Sequence, residues 1–152
     1  MAPITAQEAA EYLLTCIDPE REDTMTNLKL QKLLYYCQGW HLALLDEPMF
    51  SDSVEAYKLG PVVPSVYKKY KDRNDPAKPL ITPTVRPNVP VKTGLVLEDV
   101  WDKYGKFTAS GLVDMTHSET PWREAYQAKK DHRVITQGSM RDFFKARLDS
   151  TA

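Results

Sequence analysis

Residues 26–45 place an apolar side chain on almost every side of a predicted helix, and a Gly60-Pro61-Val62-Val63-Pro64 turn follows soon after. Leu30, Leu33, Leu34, Cys37, Trp40 and Leu44 fall on one stripe, while Leu28, Tyr35, Tyr36, Leu42 and Leu45 fill much of the remaining circumference. A helix apolar nearly all round must be covered from several sides, so it is expected at the centre with other elements wrapped about it. Thr26 reads as its N-cap and Asp46-Glu47-Pro48 as its stop. Gly39 in its interior costs about 1 kcal/mol relative to alanine, which predicts the close approach of another element there.

The flanking segments carry the signals of shorter elements. Thr5-x-x-Glu8 has the form of a capping box with Ile4 and Ala9 at staple positions. Beyond it Ala9, Tyr12, Leu13, Cys16 and Ile17 share a face, Gln7, Glu8 and Glu11 face water, and Asp18-Pro19 ends the helix. Residues 54–59 read as a brief strand or hairpin arm, ended by Gly60-Pro61. Pro64 suits the first turn of a short helix over 65–71, because the amide it lacks would have no partner there. Thr93 reads as a cap for a helix with Leu97, Val100, Trp101 and Tyr104 on its core side, and Gly105 as the residue after its end. Thr108 caps Leu112, Val113 and Met115, and Thr120-Pro121 opens a helix with Trp122, Ala125 and Tyr126. Ile135 and Met140 bracket a Thr136 cap as a staple, and Phe143, Phe144 and Leu148 complete a last helix. The fold expected is mainly α with a small β element: a compact single-domain bundle, residues 1–152, around a buried central helix. Residues 72–92, with five prolines from Pro76 to Pro90, form a surface loop.

Composition narrows the function classes. The 152 residues suit one domain, and 42% hydrophobic with 27% charged residues is ordinary for a globular chain. A net charge of −1 argues against a protein built chiefly to grip phosphates. Cys16 and Cys37 fall on predicted buried faces outside any Cys-x-x-Cys pair, which favours a reducing compartment. With neither a signal-peptide pattern nor a long apolar run, the expected location is cytoplasmic.

Few constellations suggest chemistry. Cys37 and His41 have metal-ligand spacing, but no further ligands lie near in sequence, so a packed cysteine and a hydrogen-bonded histidine are expected, with no metal or cofactor. The three histidines, His41, His117 and His132, lie outside any nucleophile or metalloprotease motif, and six glycines leave little scope for phosphate-cradling loops, so catalysis is not expected. His117 is expected to tie the turn between two short helices, with partner contact as its other role. Lys68, Lys69, Lys71 and Arg73 interleave with Tyr67 and Tyr70, a pattern compatible with a solvated helix face or, as the alternative function, a nucleic-acid-binding regulator. The turn is different in kind: pinned by two prolines, it loses little entropy on binding. Its valines either present apolar surface to a partner or pack inward to lock the turn. Tyr57, Lys58, Gly60, Pro61, Val62, Val63, Pro64, Tyr67, Lys68 and His117 are therefore the candidate partner-binding residues.

The strings LQKLLYYCQGWHLAL at 30–44 and EAYKLGPVVPSVYKKY at 55–70 are long and unusual. They are followed in order by Val100-Trp101-Asp102-Lys103-Tyr104-Gly105, by THSETPW at 116–122 and by a closing helix with Met140, Phe143 and Phe144. Over almost the whole chain this resembles the Panacea domain family. These are antitoxin-like modules of bacterial and phage toxin–antitoxin pairs, and they include SocA-type proteolytic adaptors. The resemblance implies a stoichiometric protein that neutralises a cognate toxin by covering it or by presenting it to a Clp-type protease. It does not name the toxin, because family members pair with toxins of unrelated folds.

Overall fold

In the computed structural model, which describes residues 2–18, 20, 25–72, 80–127 and 133–151, the apolar segment forms the helix predicted for it. We label the elements in chain order: α1 (Ala6–Thr15), α2 (Asn27–Leu45), β1 (Glu55–Tyr57), β2 (Gly60–Val62), α3 (Pro64–Tyr70), α4 (Val91–Tyr104), α5 (Ala109–His117), α6 (Thr120–Ala125), β3 (Arg133–Val134) and α7 (Gln137–Thr151). The fold is mainly α with a small antiparallel sheet. α2 is its axis, touched by α1, α3, α4, α5, α7 and β2. Leu30, Leu33, Leu34, Tyr35, Tyr36 and Cys37 are wholly buried. The close approach predicted at Gly39 is made by α7, for a Cβ there would collide with the ring of Phe144. That ring also lies 5.0 Å from Trp40 and 5.7 Å from Tyr35. At the other end of the stripe Leu44 is 45% exposed, in an open cleft that it lines together with Trp40, Val96, Val100 and Leu148.

The polar residues of α2 are buried too, which hydropathy did not anticipate. Each satisfies the backbone of a neighbouring segment, as buried polar groups must. Gln38 donates to the Phe50 carbonyl at 2.7 Å and accepts from the Met49 amide at 2.8 Å. Gln31 accepts from the Val63 amide at 2.9 Å, Asn27 donates to the Tyr67 carbonyl at 3.1 Å, and Lys29 donates to the Gly105 carbonyl at 2.6 Å. The central helix thus organises the loops by hydrogen bonds as well as the core by burial.

Most predicted caps form. Thr5 and Glu8 make the reciprocal box, Thr26 and Thr108 accept from Lys29 and Gly111 amides, and the Thr136 hydroxyl accepts from Ser139 between buried Ile135 and Met140. Three assignments change. Thr93 does not cap α4: Pro90 occupies that position, and Thr93 is buried one turn inside with its hydroxyl on His41. Glu119, not Thr120, precedes α6, and its carboxylate turns into the core. Gln7 is half-buried, because its amide donates to the Tyr70 hydroxyl at 2.8 Å and so joins α1 to α3.

The extended segment is a hairpin. β1 pairs antiparallel with β2 in the register Glu55 to Val62, Ala56 to Pro61 and Tyr57 to Gly60, leaving Lys58-Leu59 as the turn. Gly60-Pro61 therefore begins the returning strand instead of ending the extended segment. Pro61 is tolerated because β2 is an edge strand. The other edge of β1 takes β3, giving the order β2-β1-β3; at two residues, β3 is too short to have left a periodic signal. Residues 80–90 form a loop without regular structure, as their prolines predict, tied down by the Leu80 amide on the Met25 carbonyl and by Arg86 on the Thr15 hydroxyl. The earlier part of that loop lies outside the described residues.

Candidate functional site

The β1–β2 hairpin stands on the central helix, and its base is built from Gly60 upward. Gly60 has φ 108°, a conformation in which glycine is unstrained. A Cβ there would sit 2.7 Å from Cε of Lys32 and 2.8 Å from the Thr116 hydroxyl, so glycine is needed for space as well. Beneath it the wholly buried Lys32 donates to the Pro61 carbonyl at 2.9 Å. Desolvation pulls its amine down to about 7, since burial penalises the charged form. Val62 and Val63 face inward, Val63 wholly buried with its amide on Gln31. Of the two readings of the turn, the inward-locking one describes its valines. Gly60 and Pro61 are buried with them.

Two side chains brace the hairpin from the α5–α6 corner. His117 Nε2 lies 2.9 Å from the Lys58 carbonyl, and the Trp122 indole N–H donates to the Tyr57 carbonyl at 2.7 Å. Their rings stack at 4.1 Å, and Trp122 stacks on Tyr126 at 4.7 Å. His117 thus has a structural hydrogen bond as expected, but it ties the hairpin, through a carbonyl fifty-nine positions away in the sequence, and not the turn between its own two helices. On the α3 side Tyr57 and Tyr67 rings lie 6.4 Å apart. The corner itself is fixed from below: Glu119 accepts from the Tyr35 and Tyr36 hydroxyls at 2.9 and 3.0 Å. Burial raises the Glu119 carboxyl above its ordinary value against the opposing pull of those two donors.

The result is a rigid prominence. Lys58 and Leu59 are exposed at its tip, Leu59 by 52%, and Lys68 is exposed on α3, while Tyr57, Tyr67, His117, Trp122 and Pro64 are half-buried along its sides. The predicted partner-binding set therefore divides into a buried base of Gly60, Pro61, Val62 and Val63 and an accessible remainder. Two residues were not singled out. Neither left a local signal: Lys-Leu is not one of the usual two-residue turn pairs, and the partner of Trp122 is a backbone oxygen.

The other constellations are accounted for locally. His41 Nδ1 lies 2.7 Å from the Glu47 carbonyl and Nε2 lies 3.1 Å from the Thr93 hydroxyl, so Nδ1 carries the proton and Nε2 accepts. Burial lowers its pKa. Cys37 is wholly buried, and its thiol is pushed up by desolvation. Among the described residues no group of three or more His, Cys, Asp or Glu could hold a metal, and no helix is long and apolar enough to cross a membrane. Lys68, Lys69 and Lys71 are exposed on and just after α3; Arg73 and His132 lie outside the described residues.

Comparison with known proteins places these features in a family. The Antitoxin SocA-like, Panacea domain family matches residues 30–123, which run from the central helix through the hairpin to α6. A curated relative, "Antitoxin SocA" of Caulobacter vibrioides (strain NA1000 / CB15N), is 31% identical over 111 residues, 64% of this chain. The match spans 58% of that relative's length. No solved structure matches the chain.

Proposed function

Because the chain belongs to the SocA-like Panacea domain family, we propose that it is an antitoxin that neutralises a cognate protein toxin by binding it, without catalysis of its own. The observation that carries this reading is the braced hairpin, with Leu59 and Lys58 held out at a tip whose base is immobilised by Lys32, His117 and Trp122. A preformed prominence loses little entropy on association, and half-buried tyrosines beside it offer apolar area with few rotamers to freeze. Interface energy concentrates in a few such anchors. Tyr57, Lys58, Leu59, Tyr67, Lys68 and His117 are the residues assigned to the contact.

The test is co-expression with the product of the neighbouring reading frame. Relief of growth arrest together with co-purification is the expected result; arrest that persists with both proteins present overturns the reading. Leu59→Asp and Tyr67→Ala should each keep the native melting temperature and cost about 2 kcal/mol of binding. The toxin's abundance separates the two routes of neutralisation: constant under occlusion, and falling in a Clp-dependent way if the chain delivers it to a protease.

A further inference from the structure

The accessible side of the hairpin has a charge of its own. Lys58 at the tip and Lys68 and Lys71 around α3 are exposed, and none pairs with an acid among the described residues. Lys68 and Lys71, three apart at the end of α3, share a helix face with each other, and Lys71 is also one turn on from Tyr67, whose ring lies 6.4 Å from that of Tyr57. Leu59 at the tip is a large apolar side chain more than half exposed. We propose that this face docks an acidic polypeptide segment carrying an apolar side chain, which lies against Leu59 while its carboxylates meet Lys58, Lys68 and Lys71. The proposal rests on the protein-binding reading above and gives the partner its chemistry.

A polypeptide fits better than a nucleic acid for three reasons. Bases bind single-strand platforms through open ring faces, whereas His117, Trp122 and Tyr126 are stacked on one another and the Trp122 edge is held by a carbonyl. Phosphate-gripping surfaces draw on many uncompensated cations, and this chain carries a net charge of −1. Asp114 and Glu124 are also exposed on α5 and α6, the helices that brace the hairpin, and would repel a phosphate backbone running the length of the surface. An acidic segment need only lie across the α3 end, where exposed Asp72 is outnumbered by Lys68, Lys69 and Lys71. Complementary charge of this kind mainly speeds encounter and rejects wrong partners, while the apolar contact at the rigid tip supplies persistence.

The experiment uses the whole chain, uniformly labelled with 15N and titrated with three probes: a short peptide of alternating glutamate and leucine, its glutamine-for-glutamate counterpart, and oligothymidylate. The acidic peptide should shift amides at 57–60 and 67–71 saturably, less so as salt rises, while the glutamine peptide shifts them weakly. Lys58→Gln, Lys68→Gln and Lys71→Gln combined should weaken that peptide about tenfold at unchanged melting temperature. Shifts located elsewhere, equal binding of the two peptides or no saturable shift overturns the proposal, and tighter binding of oligothymidylate at this face replaces it with a nucleic-acid site. Failure here is separable from failure of the antitoxin reading. Peptide bound at this face without protection of cells sinks the latter alone, and protection untouched by the triple variant sinks the former.

Discussion

Gly39 and Gly60 each make room for a side chain from a distant segment, and what fills the room differs. At Gly39 the visitor is the Phe144 ring, surrounded by Tyr35, Tyr36 and Trp40. At Gly60 it is the stem of Lys32, whose amine ends on a carbonyl. The first contact joins two helices by burial and dispersion, which are non-directional and scale with area. The second fixes a hairpin by a directed bond at a definite atom, and so determines orientation more than it contributes stability. The difference teaches that the centre of this bundle holds it together while the hairpin base aims a surface.

That contrast can be broken by mutation, and the largest effect is expected on the dry side. Phe144→Ala empties a wholly buried site bounded by four aromatic rings and should cost about 3–5 kcal/mol in urea unfolding. An unchanged midpoint would mean that α7 is dispensable to the core. Gly60→Ala should cost less, about 2 kcal/mol, from the positive φ and from the displaced Lys32 stem and Thr116 hydroxyl. Its signature is local: the indole resonance of Trp122 should move while Phe144 contacts persist, and coincident loss of both would show that the hairpin and core are one unit.

The smallest effect is a pH dependence confined to the polar side. Lys32 has a folded pKa of about 7 against an ordinary value of 10.5. Between these values the unfolded chain binds more protons than the folded one, so this group makes stability rise with pH; below about 7 both forms are charged and its contribution is flat. From pH 7 to 8 the rise should be about 1 kcal/mol, and Lys32→Met should abolish it. A slope that survives in the variant would place its origin in another group.

The same division governs how much the sequence disclosed. The axis helix was legible because Leu30, Leu33, Leu34, Tyr35, Tyr36 and Cys37 repeat apolar side chains round a full circumference, and burial follows from that pattern alone. Thr5, Thr26 and Thr108 were legible as caps because each meets an amide three positions on. Lys32, Gln31 and Gln38 were not, since each acts on the backbone of a segment far along the chain and backbone groups carry no sequence label. Thr93 and Thr120 misled for a related reason: both have the chemistry of a helix cap, but Thr93 is used on buried His41, and the cap position of α6 goes to Glu119, whose carboxylate serves the buried Tyr35 and Tyr36. In the candidate site the turn was recognisable from its prolines, but the direction of Val62 and Val63 depended on α2 lying beneath them, which no local spacing encodes.

One property of the hairpin brace reaches further than the contacts themselves. Lys32, His117 and Trp122 all address main-chain oxygens, of Pro61, Lys58 and Tyr57. Every amino acid offers such an oxygen, so the bracket is indifferent to the identity of the side chains at positions 58 and 59 that it holds out. Substitution at the tip can therefore alter what is presented without loosening how it is presented. The scaffold works as a socket, and a stretch of only two residues is the interchangeable bit.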